Sequence, residues 1–283
     1  MFHVEHKISM KARDHMLSKE EFELEYDSDY DMYKTRPVPE DIGRYYQSED
    51  YISHTDSKSS IKDRLYHWVK QYQLGQKRRR MYRFSSKTST VLDVGTGTGE
   101  WPLFLKTYGH KVVGLETSTL ARDKAEAKGV EVVSNWDAIQ GQAFDVITLW
   151  HVLEHLPVPA EAMSKLYAHL RPGGHLYIAV PNFKSWDAKA YGEYWAAYDV
   201  PRHLWHFSSS AISKLGKEQG LSMIKKWPMW FDVFYVALLS ESYKPNSSLI
   251  RASWIAFRST LSALRTNEHS SMLYVLQKPK LDV

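Results

Sequence analysis

The sequence predicts an α/β protein built on a doubly wound, mostly parallel sheet of seven strands. Three observations carry this. The apolar run Val91-Leu92-Asp93-Val94 enters the glycine-rich turn Gly95-Thr96-Gly97-Thr98-Gly99 and then a helix, an arrangement that lets a backbone approach a nucleotide-like ligand. Strand and helix patterns alternate from there to residue 180, which implies parallel strands covered on both faces. Leu170-Arg171-Pro172-Gly173-Gly174 then ends a helix and turns the chain into another strand.

Taken in order, Glu21 to Asp27 alternates strictly, with Phe22, Leu24 and Tyr26 on one face, and predicts a strand. Pro37 and Pro39 break the chain after it. A helix over 61–82 leads into the core. Strands at 91–95, 111–116, 130–134, 144–150 and 175–180 alternate with helices at 100–108, 118–128 and 159–170. A helix at 209–219 and a strand at 221–227 follow, and 271–276 suits the final strand. Residues 1–60 form an accessory segment, and 61–283 the principal domain with an insertion at 229–270. The insertion holds one helix from Trp230 to Tyr243 and a second from Ser248 to Arg265. In the second, Ile250, Trp254, Phe257, Leu261 and Leu264 recur at helical spacing, with Arg251, Arg258 and Arg265 on another face. Packing on its own domain is the expectation; peripheral membrane contact through 248–265 is the alternative.

The composition narrows the class. A chain of 283 residues and 32.9 kDa holds one large α/β domain with additions. Mean hydropathy is −0.47, and no run approaches the roughly 18 apolar residues of a membrane span. Met1 to Lys7 lacks a secretory pattern, so a cytoplasmic location is expected. The absence of cysteine excludes disulfides and thiolate metal sites. Charge is uneven: residues 1–60 hold eight Lys/Arg against fourteen Asp/Glu, and 61–90 hold nine against one. The cluster Lys77-Arg78-Arg79-Arg80 with Arg83 reads as the solvated face of a helix, paired with the acidic N-terminal segment, in preference to a nucleic-acid patch.

The glycine spacing selects the ligand. A dinucleotide fingerprint would place its third glycine at position 100, where Glu100 stands. The D-x-G-x-G-x-G pattern from Asp93 to Gly99 resembles motif I of class I S-adenosylmethionine (SAM) dependent methyltransferases, which implies a Rossmann-like methyltransferase fold with SAM as cofactor. Glu116, 23 positions beyond Asp93, matches the family's acid at the end of the second strand, and Leu170 to Gly174 matches its L-x-P-G-G turn. The resemblance implies that Asp93, Gly95, Thr96, Gly97 and Gly99 hold the methionine part. Glu116 would take the ribose hydroxyls, with Thr117 beside it. Asn135 or Asp137 would bond the adenine, with Trp136 stacked on the ring or else packed on the surface, and Trp150 would complete the cofactor site.

Phe144 to His155 resembles the family's motif IV and its extension, and places His151 just past a strand end. His151-x-x-Glu154-His155 also spells the H-x-x-E-H of inverted zinc peptidases, an accidental match after a strand. The region is similar to the ubiquinone-biosynthesis O-methyltransferases, whose carboxylate–histidine cluster can hold a divalent ion. Glu154 and His155 match part of it and His151 replaces an acid. A metal there is one alternative, and hydrogen bonding by Glu154 and His155 that merely holds the loop's shape another; a metal-free site is preferred. His151 or His155 is then the candidate general base. Trp195 to Phe207 resembles a D-x-P-R-H-x-x-x-F segment that caps the acceptor pocket. It offers Trp195 and Arg202 to the substrate and His203 to proton removal, with a structural ion pair as the alternative for Arg202. Tyr46, Tyr51 and His54 would close the pocket from above. The N-terminal layout resembles a small zinc ribbon stripped of its cysteines and kept for packing.

The function expected is methyl transfer to a small-molecule acceptor, with O-methylation favoured. The alternatives are an RNA or protein methyltransferase and a non-catalytic SAM-binding protein. Nucleic acid is disfavoured, and the chain is expected to be a monomer or homodimer.

Overall fold

The computed structural model describes residues 9–46 and 61–280. From the N-terminus, β1 (Ser9–Arg13), β2 (Glu21–Asp27) and β3 (Met32–Arg36) form an antiparallel ribbon. Helix α1 (Ile61–Met81) leads to β4 (Thr90–Val94), α2 (Glu100–Lys106), β5 (Lys111–Leu115), α3 (Thr119–Ala127) and β6 (Glu131–Val133). Then come β7 (Phe144–Trp150), α4 (Pro159–Ala168), β8 (Leu170–Pro181), α5 (Trp186–Tyr191), β9 (Trp205–Phe207), α6 (Ser209–Glu218) and β10 (Ser222–Pro228). The insertion supplies α7 (Asp232–Ser242) and α8 (Leu249–Thr266), and β11 (Ser271–Gln277) ends the fold.

Seven strands form the central sheet in the order β6-β5-β4-β7-β8-β11-β10. The β5, β6, β7 and β8 pairings around β4 are parallel, and β11 runs antiparallel to both β8 and β10. The expected fold class is therefore the one observed. Strand order reverses between β4 and β7, so the crevice for a ligand opens beyond the carboxyl ends of these two strands. Both faces of β4 are buried because helices cover the sheet on each side.

A second sheet, ordered β1-β2-β3-β9, was only partly legible. Its β2 matches the alternation of Phe22 and Leu24, but β9 has three residues and pairs with β3 across more than 160 positions of sequence. Phe22, Leu24 and Tyr45 share one apolar core with Trp195, Tyr198 and Val200 and with Val236, Ile255 and Ala256 of the insertion. The N-terminal ribbon, the 183–200 segment and the insertion thus bury one another's apolar surface.

Candidate active site

Period-two alternation along the central strands builds the site. Val91 and Val146 face α1 and α2, whereas Leu92, Ile147 and Leu149 face the opposite core. Two residues beyond Val91, Asp93 therefore points to the side where Lys77 of α1 and Trp101 of α2 stand. There Lys77, Asp93, Gly95, Thr96, Trp101 and Trp150 line a cavity of about 270 Å³. Asp93 is buried and accepts hydrogen bonds from the hydroxyls of Thr96 (2.8 Å) and Thr148 (2.6 Å). Burial raises its carboxyl to about 6 despite those bonds. Burial likewise lowers Lys77 to about 8, against the pull of Asp93 and Asp232. The Lys77 ammonium lies 4.1 Å from the ring centre of Trp150. The indole N–H groups of Trp101 and Trp150 are buried without a hydrogen-bond partner among the described residues, a cost that a polar ligand would relieve.

The glycine turn divides its duties. Gly95, Gly97 and Gly99 all have positive φ, at 68°, 54° and 79°, where a side chain is strained. A Cβ on Gly95 would stand 2.4 Å from Val152 and one on Gly99 2.8 Å from Ala125, but one on Gly97 would meet nothing within 4 Å. The outer glycines are demanded by the protein's own packing, while Gly97 keeps space open beside Glu116. Glu116 accepts from the Gly97 N–H and the Ser118 N–H, each at 2.9 Å, which fixes its carboxylate at the end of β5. Thr117 is exposed beside it, and so is Asn135, whose Oδ1 accepts from the Ala138 N–H at 3.2 Å. Trp136 departs from the expected stacking role. Its ring stacks on His169, 5.5 Å away at 25°, and packs on the main core. His169 immediately precedes β8, so this contact lies at the end of the sheet opposite the glycine turn.

Beyond the glycine turn, His151 follows β7 with φ at 56°, a left-handed conformation for which histidine is one of the more tolerant side chains. Its Nδ1 stands 3.4 Å from Glu154 and its Nε2 3.3 Å from Asp232 at the start of α7. Burial would lower its pKa, but the two carboxylates hold it at about 10. Two carboxylates so placed favour the charged ring, which tells against the expected role of His151 as proton acceptor. Glu154 is buried and held below the usual range, burial notwithstanding, by His151 and the neighbouring His203 and His155. Neither of its oxygens has an aligned hydrogen-bond partner among the described residues.

Glu154, His155 and His203 converge, with one ligand atom from each lying within 4.8 Å of the others. The His155 Nδ1 lies 3.0 Å from the Arg202 carbonyl oxygen and 3.1 Å from the Tyr46 hydroxyl. The His203 Nδ1 lies 2.9 Å from the Ala197 carbonyl oxygen. Carbonyls only accept, so both Nδ1 atoms carry a proton. Burial, then His203, lowers the His155 pKa to about 4, so its ring is neutral. A carboxylate and two imidazoles so oriented fit a divalent ion. The H-x-x-E-H match sits on a strand end and a single 3-10 turn, Leu153–His155, not on the long helix of a peptidase.

Two expected substrate contacts are core residues instead. Arg202 is 1% exposed and forms ion pairs with Asp14 (2.9 Å) and Asp199 (2.6 Å). It also donates to the Tyr45 carbonyl at 3.2 Å, so four of its five N–H donors are engaged within the protein. Trp195 is buried, and its indole donates to Asp187 at 2.8 Å. Tyr46 reaches the site through His155, whereas Tyr51 and His54 lie outside the described residues.

Lys77 and Asp232 were missed by sequence reasoning. Lys77 stands in a basic run, yet Leu74, Lys77 and Met81 share a helical face whose other two members are buried, a signal that could have separated it. Two others of the run pack on the domain, Arg78 lying 3.4 Å over Tyr108 and Arg80 donating to the Pro228 carbonyl, while Arg79 is exposed. The N-terminal acids instead pair locally, as in Glu20–Arg44 and Glu25–Arg36.

A family profile described as a methyltransferase domain matches residues 66–226. The chain is 26% identical over 151 residues to a ubiquinone biosynthesis O-methyltransferase from Burkholderia pseudomallei, covering 48% of this chain and 65% of that protein. It is 32% identical over 125 residues to the Serratia proteamaculans protein of the same name, covering 40% of this chain and 52% of the relative. The chain thus spans about half to two thirds of these curated relatives. A magnesium protoporphyrin IX methyltransferase from Synechocystis superposes with a TM-score of 0.51 at 13% identity, covering 83% of this chain and 94% of that one.

Proposed function

This chain belongs to the methyltransferase-domain family, and from that premise we propose that it transfers a methyl group from SAM to a small-molecule acceptor, with oxygen as the favoured nucleophile. One observation carries the reading. The cavity beside the glycine turn sets an ammonium, Lys77, and a carboxylate, Asp93, against the two charged groups of an amino-acid zwitterion. Glu116 is held where ribose hydroxyls would reach it, and the Synechocystis structure was solved with bound SAM. The names of the curated relatives support an oxygen acceptor.

A sulfonium methyl is already electrophilic, so the protein's tasks are alignment, exclusion of water and removal of the acceptor proton. His155, through its Nε2, and His203 are the proton acceptors, with Glu154 placed to stabilise the imidazolium that forms. The His151 cation would attract an acceptor oxyanion. If a divalent ion is bound, Glu154, His155 and His203 would hold it, and it would lower the acceptor's pKa.

Cofactor affinity is expected to peak between about pH 6 and pH 8. Asp93, raised to about 6, must be ionised and therefore fails below that pH. Lys77, lowered to about 8, must be protonated and fails above it. Titration calorimetry across this range should show both limbs, with Asp93→Asn losing the acidic limb and Lys77→Met flattening the alkaline one.

SAM or its demethylated product should raise the melting temperature; no shift would sink the cofactor assignment. Methyl-labelled SAM incubated with fractionated cell extract should then label a small molecule, and a run with chelator tests for a metal requirement. Label in RNA or protein would redirect the reading to those acceptors. A melting shift without label in any fraction would favour a non-catalytic binder.

A further inference from the structure

Helix α8 turns its larger apolar side chains outward. Ile250, Trp254, Phe257, Leu261 and Leu264 follow at steps of four, three, four and three residues, one stripe of an α-helix. Ile250 is 84% exposed, Phe257 57% and Leu264 62%. The face packed on the domain is made of Ala252, Ile255, Ala256, Ser259 and Ala263. A helix needed only for internal packing would bury the large residues and expose the small ones, since apolar burial is the dominant gain. The expectation that this stripe packs on its own domain is thus reversed. Helix α7 and its lead-in do likewise with Phe231, Phe234 and Leu238, all exposed.

The charges say what would cover this face. Helix α8 carries Arg251, Arg258 and Arg265 and no acidic residue. Arg251 pairs with Glu241, but among the described residues neither Arg258 nor Arg265 has an ion pair. These two arginines flank a groove of about 440 Å³ whose walls include Trp186, Leu261 and Leu264, with no acid in its lining. The Arg258 guanidinium lies 5.7 Å from the Trp186 ring centre and 5.5 Å from that of Trp254. Indoles, leucines and arginines without acids suit the boundary between acyl chains and anionic headgroups. A second copy meeting this face about a twofold axis would set like-charged arginine rows against each other.

We propose that the α7–α8 insertion is a docking surface for an anionic lipid bilayer. Phe231 adjoins Asp232, the residue 3.3 Å from His151, so docking brings the acceptor side of the site to the bilayer. Resting on the methyl-transfer reading, the acceptor class is then an amphiphile that partitions into lipid.

The test is co-sedimentation of the full chain with vesicles of phosphatidylcholine alone and of phosphatidylcholine mixed with phosphatidylglycerol. Binding to the mixed vesicles, weakened by salt, is expected, with little binding to the neutral ones. Arg258→Gln and Arg265→Gln should each weaken it about five-fold, and Trp254→Ser with Phe257→Ser should abolish it. All four side chains are exposed, so the variants should keep the wild-type melting temperature and cofactor-induced shift. Absence of binding to both vesicle types, or equal binding to both, would overturn the proposal. So would a dimer that the Trp254/Phe257 variant converts to monomer. Sedimentation needs no turnover, so its failure is separable from a failure of the methyl-transfer reading.

Discussion

Replacing Arg202 by alanine is expected to lower folding stability by about 3–5 kcal/mol, the usual cost of breaking a buried ion pair from one side. The guanidinium is buried between Asp14 and Asp199. Burial opposes its charge, yet the two carboxylates raise its pKa further. Asp14 shows the other half of the bargain: burial would raise it, but Arg202 and backbone donors hold it at about 2. Removing the cation leaves Asp14 fully enclosed without its counter-charge, so the melting temperature should fall by roughly 6–20 °C for a chain of this size. The cofactor-induced shift should survive in whatever fraction remains folded, because Arg202 does not line the cofactor cavity. Near-native stability with lost acceptor binding would instead restore Arg202 to the substrate. Asp14→Asn in the same background should recover part of the loss, since it removes the stranded charge.

Gly97→Arg is expected to abolish the cofactor-induced melting shift while leaving the fold intact. The argument rests on the contrast within one turn. At Gly95 or Gly99 a side chain would strike Val152 or Ala125, and the protein itself would suffer. At Gly97 it would enter space that no protein atom occupies, beside the carboxylate of Glu116. The positive φ adds a strain of order 1–2 kcal/mol, modest against the loss of the ligand's place. A loss of at least about 100-fold in affinity by calorimetry, with a melting temperature within a few degrees of wild type, is the expected pattern. Retained cofactor binding would mean that the ligand lies elsewhere on the sheet.

The central sheet was legible because its signals are local. Val91 to Gly99 writes a strand, a turn and a helix start within nine residues, and Glu116 closes a unit whose geometry is nearly fixed by the fold. The cluster beyond β7 was legible only as a set of suspects. His151, Glu154 and His155 are adjacent in sequence, but what they do is decided by Asp232 and His203, which arrive from the insertion and the 195–207 segment. Sequence spacing carries no record of that meeting. Arg202 was ambiguous for the same reason, since its partner Asp14 lies 188 positions away. The stripe on α8 was read correctly as periodic, yet periodicity does not say which face meets the domain. The small residues at 252, 256 and 263 were the missing half of that pattern.

The pairing of β3 with β9 has a consequence for how this protein could exchange parts with its relatives. Thr35 donates its hydroxyl to the His203 carbonyl at 2.6 Å, and its N–H to the Leu204 carbonyl at 2.9 Å. The ribbon's last strand is therefore fastened to the loop that presents His203 to Glu154. A chimera that swapped residues 9–46 alone would carry three strands away from their fourth and loosen His203 from behind. The transplantable unit is discontinuous: the ribbon travels with 183–207 or not at all.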